Sequence, residues 1–301
     1  MIKKKGEDRL LGVHCSIAGG VENAALAGGA LGCTAIQLFT GSNKQWSAPP
    51  IDAAHAEAFR RAMKEQGIKT AVAHACYLIN LAAPDRAIYS KSIRAMTAEI
   101  ERAHLLGIPW VIVHPGSHKG KGLEWGIERI ADAANRAFAD TDRLSAGIAL
   151  ETTAGQGASI GGRFEELAAI IDKIDDKGRA AVCFDTCHAF AAGYELRTKR
   201  GYDETWRLFD SAVGMKRLVA MHLNDSKGKL GSRVDRHTHV GEGEIGLAGF
   251  RLIMNDPRLA RVPMLLETPK GDDAEGNDDR NLWSLRRLIS SRSGISARRR
   301  S

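Results

Sequence analysis

Apolar residues recur along the chain in eight short runs, separated by polar stretches with helical character. The runs close at His14, Thr40, His74, His114, Glu151, Asp185, His222 and Glu267. Each interval has room for one strand, one helix and two loops. The run centres (AVA, VIV, IAL, LVA, MLL) are apolar throughout rather than alternating, the pattern of parallel strands covered on both faces. Asp52 and Asp85 stand where helix N-caps are needed, and Gly67 and Gly107 lie just past the matching helix ends. Strands alternating regularly with helices predict a parallel sheet, and eight units predict a closed (β/α)8 TIM barrel in a single domain.

The C-terminal strand ends of such a barrel share one face, so seven of the eight closing residues, all of metal-ligand type, are expected to converge there. After the sixth run the pattern reads as a loop and then the helix YDETWRLFDSAVG. After the seventh comes the longest connection, from Leu223 to Ile245, carrying Lys227, Lys229, Arg233, Asp235, Arg236, His237 and His239. Loops of that length in compact domains are usually functional. The eighth run leads into an acidic loop (Asp272, Asp273, Glu275, Asp278, Asp279) and a last helix, LWSLRRLIS.

Composition narrows the class. No apolar stretch approaches the roughly 18 residues of a membrane span. The N-terminal MIKKKGEDRLLGVHCS lacks the apolar core of a signal peptide, and residues to about 9 read as a flexible segment. Five scattered cysteines build no disulfide framework and point to a reducing, cytoplasmic setting, with Cys183 and Cys187 as buried or loop thiols. The formal net charge is +7, but Arg292, Arg298, Arg299 and Arg300 supply four of those charges in what reads as a disordered tail, 292–301. Bound divalent metals would concentrate further positive charge at the barrel mouth and favour a polyanion there.

One histidine at a strand end is usually a satisfied core residue. Six ligand-type strand ends from His74 to Glu267 reverse that prior, because their three carboxylates, four with Asp235, would repel strongly in one apolar pocket without cations. Adding His188, Asp235 and His237 gives nine candidates. Mixed nitrogen and oxygen donors without thiolate suit zinc, manganese or iron. Nine ligands are too many for one ion and right for three, with one carboxylate shared. Gly116–Lys121 is too short for a phosphate-binding P-loop, and no H-E-x-x-H occurs. His118 is separated from His114 by Pro-Gly and cannot share a helical face with it.

The segments HACYLINL, HPGSH, AGQG, DTCHAFAAGY, MHLNDSKGKLGSRVDRH, GEGEIG and LLETPKG resemble those of the endonuclease IV family of apurinic/apyrimidinic endonucleases, in one register from Gly12 to Glu267. The resemblance implies a barrel with three divalent ions, usually zinc, that incises double-stranded DNA 5′ to abasic sites. It implies a first ion on His74, His114 and Glu151, a second on Glu151, Asp185, His222 and Glu267, and a third on His188, Asp235 and His237. Three departures stand out. Ala75 follows the first ligand histidine where the family often has Asp, and Thr152 follows the shared glutamate where it often has Asn. Lys44 occupies a loop position where some members place an Arg that enters the duplex; lysine keeps the charge but lacks the planar stacking group.

The expected chemistry is metal-assisted phosphodiester hydrolysis by a monomer, with Glu151, Asp185 and Glu267 at its centre and a 3′-hydroxyl as product. Asn43, Lys44, Gln45, Trp46 and Tyr77 are candidates to fill the gap left by an extruded nucleotide, and Lys227, Arg233 and Arg236 to contact phosphates. Two rival readings are a sugar isomerase or epimerase, which needs fewer metals and ligands, and a non-catalytic DNA-damage-binding protein, which needs neither a shared glutamate nor an open coordination position.

Overall fold

The computed structural model describes residues 9–290. Eight parallel strands close a barrel: β1 (Leu11–Cys15), β2 (Ala35–Phe39), β3 (Thr70–His74), β4 (Trp110–Val113), β5 (Gly147–Glu151), β6 (Ala180–Asp185), β7 (Leu218–His222) and β8 (Met264–Leu266). Each pairs with its sequence neighbours, and β1 closes on β8 through Leu11 opposite Met264. Alternation along the strands decides what enters the lumen. Ala35, Val72, Ile112, Ala149, Ala181, Cys183, Ala220 and Leu265 form one cluster inside the barrel. Residues of opposite parity, such as Ile148 and Leu150, pack outward against the helices. The same parity carries Gln37, His74, His114, Glu151, Asp185, His222 and Glu267 inward, each two residues beyond a member of that inner cluster. On β1 the lumen position is Gly12, where a Cβ would lie 1.6 Å from the Ala35 carbonyl oxygen, so no side chain fits.

Nine helices surround the strands among the described residues: α1 (Glu22–Ala30), α2 (Ala53–Glu65), α3 (Arg86–Leu106), α4 (Leu123–Asp140), α5 (Phe164–Asp172), α6 (Thr186–Ala192), α7 (Lys199–Ala212), α8 (Gly246–Asn255) and α9 (Ala274–Leu288). Asp52 and Asp85 cap α2 and α3 by accepting the His55 and Ile88 N–H groups, and Gly107 ends α3 in the left-handed region, φ 75°. None of these helices is long and apolar enough to cross a membrane.

Two expectations need correction. The stretch after β6 is not a loop: α6 begins at Thr186, with Asp185 as its N-cap, and α7 starts at Lys199 rather than near Tyr202. The acidic segment after β8 is mostly the first turns of α9. Asp273 accepts the Gly276 N–H, Glu275 lies in the first turn, and Asp278 is buried against Lys270. Acids at a helix N-terminus satisfy free N–H groups and oppose the helix dipole, so they belong to the fold there. Of the expected flexible N-terminal segment only Arg9 is described, and it donates to the Asp256 carbonyl at 2.9 Å. The rest of that segment and the basic tail 292–301 lie outside the described residues.

The long β7–α8 connection folds around one carboxylate. Asp225–Ser226 pairs antiparallel with His237–Thr238. Asp225, fully buried, accepts N–H groups from Ser226, Gly241, Gly243, Ile245 and Gly246 at 2.8–3.4 Å. The GEGEIG motif is thus a wrap: a Cβ at Gly243 would stand 2.5 Å from Asp225 Oδ1. Asp225→Ala is expected to destabilise the protein by about 3 kcal/mol, because several buried donors lose their acceptor. Urea titration reads that loss, and limited proteolysis should cut first within 227–244; a protease-resistant variant of unchanged midpoint would remove Asp225 from this role.

Candidate metal centre

Glu151 lies at the end of β5, fully buried, and four imidazoles meet its carboxylate. His74 Nε2 and His114 Nε2 lie 3.3 and 3.1 Å from Oε2; His222 Nδ1 and His188 Nδ1 lie 2.8 and 3.3 Å from Oε1. His222 Nδ1 is also 3.1 Å from Glu267 Oε2 and 3.7 Å from Asp185 Oδ2. Donor atoms of His74, His114 and Glu151 lie within 4.8 Å of one another, as do those of Glu151, Asp185, His222 and Glu267. Beside them, Asp235 reaches His188 Nε2 at 3.2 Å and His237 Nε2 at 3.3 Å. Asp185, His188 and His237 form another compact group, so Asp185 adjoins two clusters.

Backbone carbonyls orient three of these rings. A carbonyl only accepts, so each Nδ1 that faces one carries the proton and leaves Nε2 for the site. His74 Nδ1 donates to the Ala75 carbonyl at 2.8 Å, His188 Nδ1 to the Thr152 carbonyl at 2.8 Å, and His237 Nδ1 to the Glu267 carbonyl at 3.4 Å. Ala75 and Thr152 are two of the departures noted in the sequence, yet each orients its histidine through an atom that every residue type possesses. The Thr152 hydroxyl adds a brace, accepting the Asp185 N–H at 2.9 Å.

His222 is turned the other way, and the cause is Gln37. The Gln37 side chain is fully buried on the inner face of β2. Its amide donates to Glu267 Oε1 at 2.5 Å and to His14 Nδ1 at 2.9 Å, and its oxygen accepts from His222 Nε2 at 2.7 Å. That leaves His222 Nδ1 facing the carboxylates. Asn224 works in parallel, donating to Asp185 Oδ2 at 2.7 Å and accepting the Glu267 N–H at 2.8 Å. The sequence reading passed over both amides. The signal for Gln37 was present: a polar residue in the otherwise apolar run AIQLF. His14, expected at the convergence, touches Gln37 and lies 3.8 Å from Glu267, outside the compact groups.

The donor set suits divalent cations. Burial opposes charge on Glu151, but His222, His114 and His188 outweigh it and hold its carboxyl well below the usual range. Burial likewise opposes charge on His188, and Asp185, Asp235 and Glu151 overcome it, holding its imidazole well above the usual range. The cluster therefore demands positive charge among its carboxylates. His237 Nε2 is buried without a hydrogen-bond partner, a free lone pair at the edge of the third group. Cys187 lies near Asp235 and His237, but burial pushes its thiol up to about 12 and it donates to the Arg236 carbonyl, so it stays a neutral thiol.

A cavity of about 310 Å³ opens beside the cluster, lined among others by Tyr77, His114, Lys119, Gln156, Ser159 and Asp235. Tyr77 stands at the rim, 56% exposed, its ring 5.4 Å from that of His74. Asn43 reaches this rim through its backbone, accepting the Tyr77 N–H at 3.3 Å. Lys44 and Gln45 are exposed on the same loop, whereas Trp46 packs against the core. Lys227, Arg233 and Arg236 lie on the β7–α8 connection and do not line the cavity. Arg233 and Lys119 are the two non-glycine residues with positive φ among the described residues, 55° and 47°, both cations on mouth loops. Lys119 is the one the sequence reading missed.

Residues 25–288 match the family described as Xylose isomerase-like TIM barrel. The chain is 49% identical to a probable endonuclease 4 of Geobacter sulfurreducens, covering 93% of this chain and 94% of that protein. A probable endonuclease 4 of Citrifermentans bemidjiense is 47% identical over 93% of this chain and 99% of its own. The crystal structure of endonuclease IV from Thermus thermophilus superposes with a TM-score of 0.81 at 39% identity, covering 93% of this chain and 98% of that one.

Replacing Gln37 by Ala frees the His222 ring and the Glu267 carboxylate while leaving every candidate ligand in place. Chelator competition should find the ion nearest these residues held roughly 10- to 100-fold more weakly, the usual effect of removing a ligand's orienting partner. An unchanged metal affinity in the folded variant would refute that orienting role.

Proposed function

The chain belongs to the endonuclease IV family, and from that premise we propose that it is a metal-dependent endodeoxyribonuclease of base excision repair. It incises duplex DNA 5′ to abasic sites and leaves a 3′-hydroxyl, acting as a monomer in the cytoplasm. The observation that carries this reading is the meeting of four imidazoles on one buried carboxylate, Glu151, with Asp185, Glu267 and Asp235 close by and a cavity open beside them. An isomerase of similar barrel needs fewer donors; the group His188, Asp235 and His237 supports the nuclease over it. A damage-binding protein without catalysis needs no open cavity beside such a cluster.

We assign a first ion to His74, His114 and Glu151, a second to Glu151, Asp185, His222 and Glu267, and a third to His188, Asp235 and His237. Nitrogen and oxygen donors without thiolate favour zinc, with manganese or iron(II) next. Divalent ions there supply Lewis-acid activation of water and neutralise the charge that grows on phosphodiester oxygens. The protein's own part is position and shape. Glu151, Asp185 and Glu267 hold fixed negative charge at the barrel axis, anchored by strand backbone and by the Gln37 and Asn224 amides.

Reaching the phosphate requires extruding the lesion, which costs least where a base is already missing. Tyr77, with its exposed ring at the rim, fills the vacated space. Its phenol stays protonated, because burial and then Glu267 and Glu151 raise it far above neutrality, so it serves as a flat surface rather than a base. Asn43, Lys44 and Gln45 flank it on the β2–α2 loop, and Lys227, Arg233 and Arg236 offer charge to phosphates from the β7–α8 side.

Elemental analysis of native protein is expected to find about three transition-metal ions per chain, in line with the donor count. A folded, active protein holding one ion or none would sink the trinuclear assignment. The test of the activity is nicking of an abasic-site plasmid with and without a strong chelator. Glu151→Gln keeps the shape and removes one charge, so nicking should fall by at least ~100-fold, while binding of the same DNA falls far less. Turnover near wild type would mean that Glu151 is not shared between ions.

A further inference from the structure

We infer that one arm of the duplex is gripped outside the mouth, its sugar–phosphate backbone lying in a basic groove between the β2–α2 loop and α3. The inference rests on the nuclease reading above. The groove has a volume of about 420 Å³ and is lined by Trp46, Lys91, Arg94, Ala95, Ala98 and Arg102, with Ser47 and Ala48. Lys91, Ala95, Ala98 and Arg102 recur at helical spacing, so they share one face of α3. The two alanines make a low floor, and the indole of Trp46 forms a wall, with Lys91 Nζ 6.0 Å from its ring.

The cations of this groove divide into two kinds. Arg102 is committed to the fold, 3.0 Å from Glu99 and donating to the Thr40 hydroxyl at 2.8 Å. Lys91 and Arg94 are exposed and, among the described residues, have no carboxylate or carbonyl partner. The cavity at the opposite end of the barrel, about 700 Å³, also holds cations, but two of them are spent. Lys177 donates to the Asp172 carbonyl at 2.8 Å and Arg217 to those of Lys177 and Ala180 at 3.1 and 3.0 Å. Unspent cations on a concave surface attract an anion.

Position selects which anion. Trp46 is three residues from Asn43, whose carbonyl accepts both the Tyr77 N–H and the Cys76 thiol at 3.3 Å, and Tyr77 rims the mouth cavity. The groove and the mouth are therefore joined through one short loop. A strand that leaves the mouth past Tyr77 meets Lys91 and Arg94 next, and an extended polyanion can engage both places at once. A free small anion gains nothing from that continuity.

The test uses the full chain, a long duplex carrying a stable abasic-site analogue, and the double variant Lys91→Ala/Arg94→Ala, whose side chains are exposed and so dispensable to the core. Log affinity falls against log salt by about 0.9 per phosphate contact, so the variant should shrink that slope by roughly one to two units. Saturating turnover on authentic abasic DNA should hold within about twofold, because the groove makes no contact special to the transition state. Trimming the duplex on one side of the lesion should abolish the difference from wild type, and trimming the other side should preserve it. Lys216→Ala, at the far end of the barrel, should leave the slope unchanged. Equal slopes for wild type and double variant on the long duplex would overturn the groove, as would a difference that survives both trims. A wild-type protein that does not incise abasic DNA would overturn the functional reading instead, whatever the slopes.

Discussion

Burying Glu151 without a water molecule's worth of exposure is the constraint around which the rest is arranged. A carboxylate at the axis of an apolar barrel costs several kcal/mol unless opposite charge and hydrogen bonds surround it. Here the surroundings are histidine rings from four separate segments, three of them, His74, His188 and His222, held by an anchor outside the cluster. A ring of eight strands is what makes that possible, since every strand can deliver one side chain to the same few cubic ångströms. The inner apolar layer immediately below, half of it alanine and the rest Val72, Ile112, Cys183 and Leu265, closes the lumen and keeps the dielectric low, so the charges above it act on one another strongly.

Much of this was legible before any coordinates. Eight apolar runs gave the barrel because strands covered on both faces have no polar alternation to hide their length. Strand-end position made His74, His114, Glu151, Asp185, His222 and Glu267 candidates, whereas their division into a group with His74 and His114 and a group with Asp185, His222 and Glu267, sharing Glu151, rested on family resemblance. What stayed hidden around the site shares one cause: it depends on contacts between segments far apart in sequence. Gln37 meets Glu267 and His222 across the barrel, and neither partner is within reach of a local pattern. Asp225 looks like any loop acid until the glycines sixteen and more residues later wrap it. α6 escaped notice because its seven residues are too few to show helical periodicity, and the start of α9 because its first turns are acidic rather than apolar.

Lumen geometry and mouth chemistry are governed differently. Six of the nine candidate donors stand at or just past the ends of barrel strands, and three of the rings, those of His74, His188 and His237, are set by main-chain oxygens. At the mouth itself the cations and aromatics that would meet a substrate sit on loops, where local backbone is unusual at Lys119 and Arg233. Such a division keeps the centre stiff while leaving the surroundings free to vary in composition, which matches the placement of the departures at 44, 75 and 152: one on a loop, two where a histidine is oriented by the main-chain carbonyl.

Asp185 performs two tasks with its two oxygens. Oδ1 caps α6 by accepting the His188 N–H at 2.7 Å, and Oδ2 faces Asn224, His222 and His237. Helix initiation and ligand geometry are therefore a single degree of freedom at this position. A replacement without a capping oxygen would lose both tasks at once, letting go of the helix that presents His188 as well as the anionic donor. Asparagine would keep the cap, because its side-chain oxygen accepts the same N–H, and give up only the charge, so drift at residue 185 can pass through a state in which the helix starts as before and the cluster is one negative charge short.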